Sequence, residues 1–204
     1  MTLYEYFEAK KLLDKYGIKS VDSKYVSSAE DAERFASGSK IVLKLISEKA
    51  LHKSKAGLVK LNLQGPGISV AFHDLERKGK ALSPYKIIAQ KMAPSGVEII
   101  VGGRTDPQFG KLILLGLGGI YVEVFKDFSL RVCPITKQDA LDMVNQLKSK
   151  DVVTYGGKSS ALLVNLLMEV SDMLSKNDFI KELDLNPVVV REDSYEAVDL
   201  RILE

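Results

Sequence analysis

The stretch VEIIVGGRTDPQFGKLILLGLGGIYVEVFKDFSLRVCP, Val97–Pro134, decides how the rest of the chain is read. Short apolar runs are cut by Gly-Gly-Arg-Thr-Asp-Pro, by Gly-Leu-Gly-Gly and by Lys-Asp, the pattern of strands joined by turns. Within the runs the side chains alternate. Tyr121, Glu123 and Phe125 share one face and Val122 and Val124 the other, and Ser129 and Arg131 alternate with Leu130 and Val132 in the same way. A face that only had to meet water would more often carry Lys, Thr and Ser. Glu98, Glu123 and Arg131 instead stand singly among apolar neighbours, which fits either surface charges on an amphipathic sheet or a polar site upon it.

Upstream of this stretch, Ile87–Met92 is a short strand, Ser69–Lys78 a short helix behind a turn at Pro66 and Gly67, and Leu58–Leu63 strand-like. Before it, Ser54, Ala56 and Gly57 stand between and beside Lys53 and Lys55. Such a loop either lets backbone N–H groups approach a phosphate or is simply solvated. Ile41–Ile46 is a nearly continuous apolar run interrupted by Lys44, and a lysine there costs desolvation unless it snorkels or meets an anion. Leu3–Tyr16 has helical spacing with Gly17 as a stop, and Ser28-Ala-Glu-Asp31 has capping-box character before a helix to Ala36.

Downstream, Thr136 caps a helix to about Leu147, and a longer helix runs from Ser159 or Ser160 to roughly Leu174. Leu183–Val190 and Glu196–Ile202 form a hairpin around Arg191–Ser194. A four-residue loop there pairs Val190 with Tyr195 and sets Asn186 opposite Asp199, with Asp184, Asn186 and Val188 on one face. Helices and strands mix without regular βαβ alternation, so the fold class is α+β.

The 204 residues are enough for one compact domain or two small lobes. With 29 basic and 27 acidic residues the net charge is +2, so charge implies no nucleic-acid partner. No apolar run approaches the roughly 20 residues that span a bilayer, and the N-terminus is mixed in charge, unlike a signal peptide. Cys133 is the one cysteine, which excludes a disulfide framework and points to a reducing cytoplasm.

The segments EAKKLLDKYGI (Glu8–Ile18), VLKL (Val42–Leu45), HKSKAGLVKLNL (His52–Leu63), VEIIVGGRTDPQFG (Val97–Gly110), LGLGGIYVEVFKDFSLRVCP and DLNPVVV…AVDLRI, in this order, resemble the ATP-grasp (β) subunit of ADP-forming acetyl-CoA synthetase, a relative of succinyl-CoA synthetase. The resemblance implies a two-lobed α+β ATP-grasp fold that clamps a nucleotide between two sheets. It sets the first lobe at residues 1–93, with a hinge near 90–92, and the second at 94–204. It implies a ligase subunit that exchanges a phosphoryl group between ADP/ATP and a phosphohistidine on a separate CoA-binding α subunit, as an α2β2 assembly. The alternative is a non-catalytic ATP-grasp regulatory module.

By the same resemblance Lys44 contacts nucleotide phosphates, and Lys53, Ser54, Lys55 and Gly57 form the phosphate loop. Gln90, Lys91 and Met92 receive the adenine, and Glu98 holds the ribose. Arg131 stands near the terminal phosphate, and His52 either relays the phosphoryl group or only orients its loop. Asn186 and Asp199 hold Mg²⁺, for which one carboxylate and one amide oxygen are suitable hard ligands, and Glu123 is a metal-side or supporting carboxylate. Lys55, Leu58 and Lys91 stand where the family usually has Asp, Gly and often Glu. Those three departures put turnover and nucleotide choice in question more than the fold.

Overall fold

The computed structural model describes residues 1–50, 57–119 and 127–204. Contacts group them into two units, one of Val21–Met92 and one of Met1–Ser20 with Ala93–Glu204. The division falls between Met92 and Ala93, next to the expected boundary, while the first twenty residues group with the second unit and not, as expected, with the first. Helix α1 (Tyr6–Lys15) begins where the Glu5 carboxylate accepts from the amides of Phe7 and Glu8. The spacing suggested a helix from Leu3, but the residues before Tyr6 are not helical. They add to a sheet instead: the Thr2 and Tyr4 amides donate to the Glu204 and Ile202 carbonyls, each at 2.9 Å.

In the Val21–Met92 unit, β1 (Ser23–Val26), β2 (Ile41–Ile46), β3 (Val59–Leu63) and β4 (Lys86–Lys91) form an antiparallel sheet in the order β1-β4-β2-β3. Helix α2 (Ala29–Ala36) starts at Ser28, whose hydroxyl accepts from the Asp31 amide at 3.2 Å. Helix α3 (Pro66–Gly79) starts three residues before the expected Ser69. Pro66 opens the helix because the first turn needs no N–H from it. Both helices pack with Ile41, Leu43, Leu45, Ile87 and Ala89. By alternation Val42, Lys44, Ile88 and Gln90 occupy the other face.

In the larger unit, β5 (Val97–Asp106), β6 (Gly110–Leu117), β7 (Phe128–Val132), β8 (Glu182–Val190) and β10 (Arg201–Leu203) run in the order β10-β8-β5-β6-β7, with β9 (Tyr195–Ala197) also on β8. Helices α4 (Lys137–Gln146), α5 (Lys150–Val153) and α6 (Ser160–Lys176) follow β7. Thr136 and Asp139 close a capping box at the start of α4. One sheet face meets the helices: Ser129 Oγ donates to the Met143 carbonyl at 2.9 Å. Gly103 lies so close under α6 that a Cβ there would stand 2.5 Å from Leu174 Cδ1. Val101, Ile113, Leu115, Leu183 and Leu185 are buried on that face. Ile100, Arg104, Leu114, Leu130 and Asp184 line a shallow depression on the opposite one.

Candidate functional site

The expected register at the end of the chain is present, interrupted at its middle. Val190 pairs with Tyr195 and Val188 with Ala197, while Asp184 pairs with Arg201 and Leu183 with Ile202. Both ladders have the same offset, so Asn186 lies across from Asp199 in the gap between them. The Val198 amide donates to the Pro187 carbonyl at 2.9 Å and keeps that offset through the gap. Asn186 is exposed and Asp199 half-buried. Asp199 Oδ1 also accepts from the Leu200 amide at 3.2 Å. Opposed residues on one face have Cβ atoms about 5 Å apart, close enough for an amide and a carboxylate oxygen to reach one small cation. The chemistry of the pair fits Mg²⁺. One expectation is corrected: Val188 pairs with Ile99 and is buried with it, because a register shift between Ile99 and Val101 turns Val188 to the helix-covered face.

Glu98 shares the open face with Ile100, Gly102 and Arg104, since Ile99 and Val101 are fully buried on the other. The end of β6 passes tightly against it. Gly118 N–H donates to the Glu98 carbonyl at 2.8 Å, and a Cβ at Gly118 would lie 2.8 Å from that same peptide group. A glycine is therefore required for the strand to close over Glu98. The Asp-Pro-Gln-Phe-Gly segment is a turn held by Asp106, whose Oδ1 accepts from the amides of Gln108 (2.9 Å) and Phe109 (3.1 Å). Those two bonds hold its carboxyl below the usual range.

Arg131 is not brought to this face. It pairs with Ile113, which pairs with Gly103, in the row that meets α6. Its Nη1 donates to the Leu130 carbonyl at 2.8 Å. The alternation read from the sequence holds, but with the apolar side outward: Phe128, Leu130 and Val132 are the exposed residues of β7.

In the smaller unit Lys44 is 7% exposed at the centre of the sheet, between Ile88 of β4 and Val59 of β3. Gln90, across from Val42, shares its face. Lys91 points the other way. Its Nζ donates to the Phe35 and Ala36 carbonyls at 2.7 and 2.9 Å and lies 5.0 Å from the centre of the Phe35 ring. An ammonium at the C-terminal end of α2 is favourable, so the lysine at this position is accounted for by the helix it closes. The Lys91 and Met92 amides donate to the carbonyls of Asp22 (2.9 Å) and Lys40 (3.4 Å). Gly57, at φ +80°, accepts from Lys78 Nζ at 3.1 Å, and Leu58 is a core residue. His52, Lys53, Ser54, Lys55 and Glu123 lie outside the described residues.

Three charged residues on the open face were missed. Arg104 faces Glu182 across β5 and β8, and Arg201 Nη2 lies 2.6 Å from Glu182 Oε1 and 3.4 Å from Asp184 Oδ2. The signal was the period-2 run Glu182, Asp184, Asn186, read only from Asp184 on. Among the described residues no three His, Cys, Asp or Glu side chains come together as a metal-holding group.

An ATP-grasp domain profile matches residues 2–203. The chain belongs to the ATP-grasp domain family. Among relatives, this ATP-grasp chain is 37% identical to the acetate–CoA ligase [ADP-forming] I subunit beta of Pyrococcus furiosus, covering 96% of this chain and 89% of that one. It is 35% identical to the acetate–CoA ligase [ADP-forming] I of Archaeoglobus fulgidus, where it covers 96% of its own length but 30% of the relative. The structure of Ca. Korarchaeum cryptofilum dinucleotide forming acetyl-coenzyme A synthetase 1 with coenzyme A, Ca-AMPCP and HgCl+ matches with a TM-score of 0.87 at 34% identity, over 99% of this chain and 92% of that one. A structure of the same enzyme with coenzyme A and Mg-AMPPCP, its phosphohistidine segment pointing towards the nucleotide binding site, matches with a TM-score of 0.79 at 33% identity, over 98% and 92%. The α+β ATP-grasp class expected from the sequence is thus borne out.

Proposed function

We propose that this chain is the nucleotide-binding β subunit of an ADP-forming acyl-CoA synthetase, acting on acetyl-CoA or a close relative. What supports the reading most is the shared offset of the two ladders on β8, which sets Asn186 across from Asp199, an amide and a carboxylate oxygen suited to one Mg²⁺. Mg²⁺ bound there would neutralise phosphate charge during transfer. Lys44 would hold phosphate as a point charge, Gln90 would lie beside the adenine, and backbone groups at 91–92 would receive it near a hinge. Glu98 would accept from ribose hydroxyls. The side chain of Lys91 has no part in this assignment. The Lys53–Gly57 loop would cradle phosphate, and Glu123 would support the metal.

The reaction moves one phosphoryl group. The N–P bond of a phosphohistidine on a CoA-binding partner breaks as an O–P bond to ADP forms, leaving a free imidazole and ATP. Two such chains with two partners would make an α2β2 enzyme in the cytoplasm. Among the described residues no helix is long and apolar enough to cross a membrane. Arg131, on the helix-side face, is a weaker candidate for stabilising the transferring group than the sequence suggested.

The test is to purify the chain with its partner and measure ADP- and phosphate-dependent release of CoA from a panel of acyl-CoAs. Release by the pair and none by the partner-free chain is expected. Steady acyl-CoA cleavage by the isolated chain would refute the half-enzyme reading. His52→Asn, which keeps a polar side chain that cannot be phosphorylated, separates relay from loop support. Loss of transfer to ADP with nucleotide affinity retained supports relay.

A further inference from the structure

The open face of β8 carries more acid than a Mg²⁺–nucleotide site needs. Glu182, Asp184 and Asn186 follow one another at period 2, so each stands about 7 Å from the next on the same face. By the offset shared by the two ladders, Asp199 stands across from the last of them. Mg²⁺ at the Asn186–Asp199 pair would lie two residues along β8 from Asp184, next to it on that face and within reach of a carboxylate that turned towards it. The number of carboxylates around a hard cation sets how tightly the bare ion binds. A third anionic ligand would hold the metal without nucleotide and would set another negative charge against the incoming phosphates.

Arg201 is placed to prevent this. It leaves β10 opposite Asp184, two residues beyond Asp199, and its Nη2 lies 2.6 Å from Glu182 Oε1 and 3.4 Å from Asp184 Oδ2. Only about a third of each of these three side chains is exposed (35%, 38% and 33%), so the pairing is shielded on several sides. A guanidinium binds carboxylates through a fixed fork of donors, which restrains orientation as well as charge.

We infer that Arg201 is a positioning residue that holds Asp184 and Glu182 away from the metal, so that the Asn186–Asp199 pair binds Mg²⁺ well only together with nucleotide phosphates. The inference rests on the proposed metal pair and assigns no contact between Arg201 and nucleotide.

The probe is Mn²⁺ binding to the full chain without nucleotide, followed by electron paramagnetic resonance of the free ion. Thermal shifts with Mg²⁺ plus ADP are read beside it. Arg201→Met should tighten nucleotide-free Mn²⁺ binding by roughly tenfold or more, the size typical of changes beside a metal's ligands. It should also weaken the joint Mg²⁺–ADP shift. Adding Asp184→Asn to Arg201→Met should return Mn²⁺ binding to the wild-type level, whereas a merely structural defect would persist in the double variant. Arg201→Lys keeps the charge but not the fork, and should fall between the two. Should Arg201→Met not fold, Arg201→Lys against Arg201→Lys with Asp184→Asn makes the same comparison. Mn²⁺ binding unchanged by Arg201 substitution, or tightened but not reversed by Asp184→Asn, overturns the inference. Failure of the metal pair itself looks different: the Mg²⁺-dependent part of the wild-type shift would survive both Asp199→Asn and Asn186→Ala.

Discussion

The two sheets carry their polar residues in opposite ways. In β2 five of six residues are buried, and Lys44 is one of them. In β8 buried and less buried residues alternate over Glu182–Asn186, and the charges stand on the side away from the helices. A charge in the first setting is conspicuous because dehydrating an ammonium is costly, so one odd letter in an apolar run marks it. A charge in the second setting looks like ordinary surface until the neighbouring strands show what faces it. The first kind of site can be read from one strand, whereas the second is a property of a pair.

The largest expected effect is at Lys44. If its burial serves phosphate, Lys44→Met should lower ADP affinity by about 1.5–3 kcal/mol, the value of a charge-assisted contact, yet hold or raise the ligand-free melting temperature. Calorimetry and thermal melts measure the two. A variant that melts lower and still binds ADP normally would make Lys44 a structural lysine, and the contrast with β8 would collapse.

Next in size, Asp199→Asn should abolish the extra thermal stabilisation that Mg²⁺ adds to ADP without moving the ligand-free melt. Arg131→Ala, on the helix-side face, should leave that stabilisation intact. Equal losses in both would show that the face of the sheet does not decide the role.

A smaller effect is expected at Lys91. Lys91→Met removes the ammonium from the end of α2 and should cost about 0.5–1 kcal/mol in denaturant unfolding, with ADP affinity unchanged. A large loss of affinity instead would return the Lys91 side chain to the adenine site.

The smallest effects have opposite signs in the two units. Asp31 is held below the usual carboxylate value, first by its bond from Lys24 at 2.8 Å. Its contribution is present above the unfolded pKa and is lost as pH falls through the folded one, so Asp31→Asn should destabilise at neutral pH and converge with wild type in acid. Glu169, bonded to the Tyr195 hydroxyl at 3.1 Å, is pushed up mainly by burial. Its protonated form fits the fold, so stability is fullest below the unfolded value of about 4.3 and is lost as pH rises through the folded pKa. Glu169→Gln should therefore raise the melting temperature at neutral pH, with the gain vanishing in acid. Melts across pH 3–8 would compare them.

Much of this was legible in the order of residues. Thr136 with Asp139, Ser28 before α2, and the pairing of Val190 with Tyr195 followed from local chemistry. What was not legible depended on neighbours distant in sequence. Leu58 stood out only as a departure from the family's usual Gly until the residues of α3 and β2 showed it to be part of the core. Arg131 lay on an alternating strand, and alternation does not say which side the helices cover. Leu3 and Tyr4 were read with α1 and instead pair with the end of the chain, because Ile202 and Glu204 offered backbone partners to Tyr4 and Thr2. Arg201 carried no local oddity, and its meaning came only from lying across from Asp184.

The placement of Met1–Ser20 bears on how the molecule is assembled during synthesis. The chain leaves the larger unit at Ser20 and returns at Ala93, and the Lys91 amide to Asp22 carbonyl bond holds the two ends of the intervening segment side by side. That segment can complete its sheet as soon as it is made, since domains fold as units while the chain grows. Helix α1 cannot. The residues on either side of it, Tyr4 and Gly17, bond to Ile202 and Tyr195, which are translated well after Met92, so the helix is secured only once those later residues are made. Residues 1–20 are thus made before the 21–92 segment yet secured after it, and slowed elongation between Ala93 and Leu203 should expose this protein to misassembly more than the same delay before Met92.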